Sequence, residues 1–243
     1  MKNKKFSPQK SVFLSALAGT MTLASATIQA EESILDAISK GQSSFSANLR
    51  YENVDQENKP EEANAYTARL TAAYKTGTYY GLGIYGEVES VHSLFSNNYA
   101  HKSQAKGATY PVIADPNETE LNQGYLFYTG LSDTSVKLGR QALTYRDAPF
   151  HRHIGTVAWR QNWQTLDALS VANKSIQDTT ISYAYVWNVN RIFGEDASEP
   201  WDDFDSASHL INAQYTGFKP VKLEAYAYLY DFKNANAFST NTY

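Results

Sequence analysis

Apolar and polar residues alternate with period two through nine stretches of the chain, 43–52, 63–75, 79–91, 121–129, 134–143, 162–172, 179–190, 206–216 and 221–232. A period of two is the signature of a β-strand, because successive side chains point to opposite faces. The clearest stretch is Thr179–Asn190. One face carries Ile181, Tyr183, Tyr185, Trp187 and Val189, and the other carries Thr180, Ser182, Ala184, Val186 and Asn188. Such stretches are long enough for membrane strands, which need about 9–11 residues when tilted. In the second, Tyr66 and Tyr74 bracket an apolar row of Ala68, Leu70 and Ala72. They stand eight steps apart, roughly 26 Å at ~3.3 Å per residue, close to the ~25 Å apolar band between aromatic girdles.

The connections alternate in length. Thr76–Thr78, Gly130–Asp133, Asn173–Asp178 and Gly217–Pro220 are short and carry the Gly, Pro, Asn or Asp of tight turns. The connections 53–62, 92–120, 144–161 and 191–205 are longer. Short turns at one end and long loops at the other are the topology of outer-membrane barrels. The expected fold is therefore all-β, an antiparallel transmembrane β-barrel. Nine strands are odd where bacterial single-chain barrels are even, and 234–243 is polar and loop-like. The chain is thus expected to be the N-terminal part of a larger barrel. Alternation places Leu70, Ile84, Tyr183, Leu223 and Leu229 toward lipid. It places Ala184 toward the lumen, where an arginine is expected to be tolerated. The fourth stretch is apolar on both faces, with Tyr125 and Phe127 opposite Leu126 and Tyr128, and leaves its orientation open.

The start of the chain belongs to another pattern. Lys2, Lys4, Lys5 and Lys10 precede an apolar, small-residue run from Ser11 to Ile28, with small residues at the cleavage positions. This predicts a secretory signal peptide over 1–30, then a polar lead-in over 31–42 on the periplasmic side and the partial barrel domain over 43–243. Without those four lysines, 17 Lys+Arg stand against 25 Asp+Glu, a net charge of −8. An acidic chain gives no basic footprint for nucleic acid. There is no cysteine, so no disulfide holds the fold. The expected location is the outer membrane of a Gram-negative bacterium. The expected partners are outer-membrane lipid, lipopolysaccharide and small hydrophilic solutes, around a monomeric barrel.

Charge changes the picture of the inner faces. By parity these carry Arg50, Arg69, Lys75, Lys137 and Lys222 against Glu52, Glu87, Glu89, Asp167 and Glu224. An apolar core does not tolerate ten unpaired charges, whereas a water-filled lumen does, and rings of charge set its selectivity. Cross-strand pairing that merely fills space is the alternative. Arg140, Arg160 and Arg191 sit at strand ends beside the long loops and are candidates for a basic cluster at the outer mouth, with salt bridges to Asp147, Glu195 or Asp196 as the competing arrangement. Arg140 shares the parity of lipid-facing Leu138, and Gly139 before it offers a bulge to redirect it. No catalytic set stands out, and no cofactor or metal is expected: His151 and His153 lack a third ligand at suitable spacing.

Asp115–Gln123, Lys137–Gln141, Trp159–Asn162 with Thr165–Asp167, and Val189–Gly194 together resemble the alginate-export-type family of outer-membrane porins. The resemblance implies a monomeric barrel of the larger porin size that passes solutes. The mixed inner charge departs from a basic alginate conduit. The function expected is therefore a porin-like channel for passive passage of small hydrophilic solutes, anionic and saccharide ones included, and not an enzyme. The alternative is a secreted β-sandwich or jelly-roll that binds or cleaves carbohydrate, since alternating strands alone do not separate the two.

Overall fold

The computed structural model describes residues 11–17, 21–22, 33–95, 98–101, 105–146, 155–199, 201–233 and 241–242. Its framework is one antiparallel sheet. The first two strands are short, β1 (Ser11–Leu17) and β2 (Met21–Thr22), and both pair with β3 (Gln42–Val54). Then follow β4 (Ala63–Lys75), β5 (Leu82–Ser93), β6 (Glu118–Leu131), β7 (Thr134–Gln141), β8 (Thr165–Asn173), β9 (Thr179–Asn190), β10 (Asp203–Tyr215), β11 (Leu223–Leu229) and the two-residue β12 (Asn241–Thr242). Each of the nine strands from β3 to β11 pairs with its neighbour in sequence. All nine expected strands are present, and β4 and β9 have the expected limits.

β3 is not an edge strand, because Ser11–Leu17 pairs with 48–54 in continuous register. Residues 31–42 supply a short helix, α1 (Ile34–Ser39), whose N-terminus is capped by the Ser33 hydroxyl accepting from the Asp36 N–H at 3.0 Å. The helix docks on the short-turn end of the sheet, where Gly77 N–H donates to the Ala37 carbonyl. Among the described residues no helix is long and apolar enough to cross a membrane.

The turns correct two expectations. Tyr79 does not open a strand. Tyr80 and Gly81 take positive φ (51° and 82°) and close a two-residue turn between Tyr79 and Leu82, so the strand begins three residues later. Lys222, expected on an inner face, lies exposed in the turn between β10 and β11. Gly139 has φ of +127°, and a Cβ there would stand 2.4 Å from the backbone oxygen of Gly124. Only glycine lets β7 approach β6 at that point.

The two faces of the sheet differ sharply. One presents large apolar side chains to the outside along whole registers. Ile84, Leu126, Leu138, Leu169, Tyr185, His209 and Leu229 form one continuous cross-strand row, within which Ile84 is 53% and Leu138 47% exposed. Phe45, Leu70, Val88, Ile211 and Leu223 extend that surface. No second layer covers it among the described residues. The other face is buried beneath long connections. Here the two-sided β6 is resolved: Phe127 is buried and Leu126 exposed. A bulge opposite the Glu87–Val88 step places Asn122 beside Gln123, and both are buried. Bulges re-aim side chains in this way.

Candidate functional site

The inner face divides into two regions. Over β8 to β11 it is apolar: Leu166, Ala168, Ala184, Val186, Leu210, Tyr228 and Phe232 form one cluster, with Leu143 and Tyr145 packed against it. Ala184 does face inward, but it is fully buried in this cluster. It meets packed side chains rather than water, so the expected tolerance of arginine there is withdrawn.

Over β3 to β5 the inner face is polar. Alternation puts Asn48, Arg50 and Glu52 on one strand and Thr67 and Arg69 on the next, with Glu87 and Glu89 on β5. Two loops close over them. Arg50 donates to the Glu52 carboxylate at 2.6 Å and to the Trp159 carbonyl at 2.7 Å. Arg160 reaches Glu52 at 3.0 Å and Asp115 at 2.9 Å. Asp115, fully buried, also accepts from the Thr67 hydroxyl at 2.9 Å, and its carbonyl accepts from the Tyr99 hydroxyl. Gln161 donates its side-chain amide to Thr67, and the Trp163 N–H donates to Glu89. Two arginines and two carboxylates thus bind both loops to the strands. Buried charges persist only when paired in this way.

Beside this network lies a cavity of about 290 Å³ lined by Asn48, Arg50, Arg69, Trp159, Arg160 and Gln161, with Ala158. The Arg69 guanidinium lies over the Trp163 ring at 4.6 Å and 3.8 Å from Glu89.

The remaining predicted residues fall elsewhere. Glu87 accepts from the amides of Asn122 and Gln123 and from the Tyr85 hydroxyl. Lys75 lies over Phe127 and Lys137 over Tyr125 on the same inner face. Glu224 pairs with Arg146 at 3.4 Å and accepts from Asn212. Asp167, read as inward, shares its parity with exposed Leu169 and is the register partner of Arg140, which binds it at 3.0 Å. The pair sits at the long-loop rim, joined by Glu195 at 2.8 Å and by Asn190.

The three rim arginines are not gathered into one cluster. Arg140 engages Asp167 and Glu195, Arg160 turns onto the inner face beside Arg50, and Arg191 lies over the rings of Phe193, Trp201 and Phe204. Burial lowers the Arg191 pKa, opposed by nearby Asp202, and burial likewise lowers that of His101 against the opposing charge of Asp115. Asp147, His151 and His153 lie outside the described residues. Among the described residues no group of His, Cys, Asp or Glu is arranged to hold a metal ion.

Reading parity alone misses Asp115, Tyr99 and Gln161, because they come from loops. Asp115 and Gln161 lie in the motif segments and Tyr99 in none; those segments meet in space, Asp115 with Arg160, Asp167 with both Arg140 and Asn190, and Glu118 with the backbone N–H of Asp196 just past Gly194. These features define an all-β protein built on a nine-strand open antiparallel sheet with a loop-covered inner face. Comparison with protein-family models, characterised proteins and solved structures returned no match.

Proposed function

We propose that this chain is part of an outer-membrane β-barrel, a porin-like channel for passive passage of small hydrophilic solutes. One observation carries the reading. Large apolar side chains are exposed across the outer face of every strand from β3 to β11, while charged and amide side chains are buried on the inner face over β3 to β6. A water-soluble protein places them the other way and exposes apolar patches of at most a few hundred Å². A barrel in lipid has this inverted distribution. Further support comes from residues 142–146 and 155–164, which lie on the two flanks of the inner face. Tyr145 and Arg146 contact β10 and β11, and Arg160 and Gln161 contact β3 and β4. A loop folded against the inner face would narrow a lumen and set its selectivity by charge.

The soluble sandwich reading requires a second layer over Leu70, Ile84 and Leu223, and these are exposed. The test is fractionation of expressing cells, gel mobility with and without boiling, and swelling of vesicles carrying the protein in small sugars. Membrane recovery, a heat-dependent shift and swelling are expected. Recovery in the soluble periplasm with no shift would overturn the reading.

A further inference from the structure

The short helix α1 carries its large apolar residues on the wrong side for a helix packed on a core. A helix docked on a protein turns its apolar stripe inward. In α1 the buried residue is Ala37, while Ile34, Leu35 and Ile38 are exposed, Leu35 to 77%. At ~100° per residue these three lie along one stripe, with Asp36 and Lys40 on the other side of the helix. Six residues are too few for a helix to be stable alone, so contacts with the sheet fix its orientation. The Ala37 carbonyl accepts from the Gly77 N–H at 2.8 Å, and the Ile38 carbonyl accepts from the Tyr74 hydroxyl. A Cβ at Gly41 would overlap the Tyr74 ring, so glycine lets the chain close over that ring. The stripe is thereby held uncovered.

Two observations point to what covers it. The first is that Tyr74 belongs to the outer face. It shares the parity of exposed Leu70 and Ala72 on β4, and the register partner of Ala72 is Phe45, also exposed. The stripe of α1 therefore continues the apolar face that the channel reading places in lipid. The second is the character of the short-turn end. Tyr80, Leu131, Ile176 and Phe218, each in or beside one of the four short turns, are all exposed. Such residues suit a membrane interface, where Tyr is enriched. They set the bilayer surface at the level of the turns, and Gly77 ties α1 to one of them. Within 33–40 the charges of Asp36 and Lys40 cancel, so apolar contact rather than charge is what the helix offers.

We infer that α1 lies in the membrane interface on the short-turn side, with Ile34, Leu35 and Ile38 inserted at the boundary between phospholipid headgroups and acyl chains, as amphipathic interfacial helices do. The inference rests on the channel reading for the presence of a bilayer and adds an anchor at the start of the barrel. A plug in the lumen, a second copy of the chain and a soluble partner are the competing uses of the stripe.

The test uses the full-length protein in vesicles, with an environment-sensitive fluorophore on a single cysteine at Leu35, Lys40 or Leu138. Circular dichroism checks folding, and Ile34 takes the place of Leu35 if that variant does not fold. Lipid spin-labelled near the headgroup is expected to quench the Leu35 probe at least twofold more than the Lys40 probe. The effect should be equal in phosphatidylcholine alone and with phosphatidylglycerol added. Lipid spin-labelled in mid-chain should quench the Leu138 probe. A Leu35 probe quenched no more than the Lys40 probe, beside a quenched Leu138 probe, overturns the inference and leaves the channel reading standing. Quenching at Leu35 that requires phosphatidylglycerol also overturns it, since charge would then hold the helix. Quenching at Leu35 without quenching at Leu138 overturns the channel reading and leaves the helix on the membrane. No lipid quenching at either site overturns both.

Discussion

Over β3 to β5 the inner face is held down by ion pairs and amide contacts, whereas over β8 to β11 packed apolar side chains dominate, with the Arg146–Glu224 pair beside them. Residues 142–146 touch the apolar region through Leu143 and Tyr145, and residues 155–164 touch the polar one through Arg160 and Gln161. The apolar region leaves little room for solvent. The polar region leaves a cavity and unmet donors and acceptors beside it. Apolar packing is tolerant of partners but sensitive to volume; a charge network is sensitive to the loss of any one member. The two regions therefore respond differently to substitution.

The largest effect is expected at the polar flank. Asp115→Ala leaves Arg160 and Arg50 with Glu52 as their shared carboxylate and removes the Thr67 contact. Removing one partner of a buried ion pair costs about 3–5 kcal/mol. Urea denaturation in detergent should show this loss, and protease nicking within 155–164 should accompany it. If the nicking is absent, Asp115 does not hold that loop.

Next comes the apolar flank. Leu210→Ala empties a fully buried position, at about 2–5 kcal/mol for a core leucine. Ile211→Ala, one residue along on the exposed face, should cost well under half of that in the same detergent. Equal losses would mean that the two faces are not distinct.

Strand positions were legible because a period of two survives any tertiary context, and the inner placement of Arg50, Arg69 and Glu89 followed from it. Three physical causes hid the rest. The left-handed turn at Tyr80–Gly81 and the turn holding Lys222 interrupt strands without interrupting the alternation. The bulge at Asn122 lets it reach Glu87. Asp167 is at the rim because Arg140 and Asn190 hold it there. The cavity itself joins strand residues to loop residues about 110 positions apart in sequence, as in Arg50 with Trp159. No local pattern records such a meeting.

A smaller, pH-dependent effect is expected from His101. Its pKa is lowered in the fold by burial, with Asp115 acting in opposition. The unfolded state, titrating near ~6.5, then holds more protons than the folded state between the lowered value and ~6.5. Stability is kept in full above that range and declines as pH falls through it. Denaturation midpoints of the native protein should drop more than those of His101→Gln between about pH 7.5 and 5.5. Parallel drops would remove His101 from the account.

The smallest effect belongs to the rim. Arg140→Gln breaks contacts to Asp167 and to the exposed Glu195, and a partly solvated pair of this kind is worth about 1 kcal/mol or less. A stability loss several times larger would place the rim among the structural anchors.

The central claim is that the row from Ile84 to Leu229 faces lipid, and the chain's lack of cysteine makes it directly measurable. Single cysteines at Ile84, Leu126, Leu138 and Leu169, and at Asn48 on the inner face, can each carry an environment-sensitive fluorophore in reconstituted bilayers. At the four outer positions the emission should be blue-shifted and quenched by spin-labelled lipid, not by aqueous iodide. At Asn48 the probe should be insensitive to the lipid quencher. Iodide quenching along the outer row, or protein that stays in solution away from the vesicles, would contradict the account.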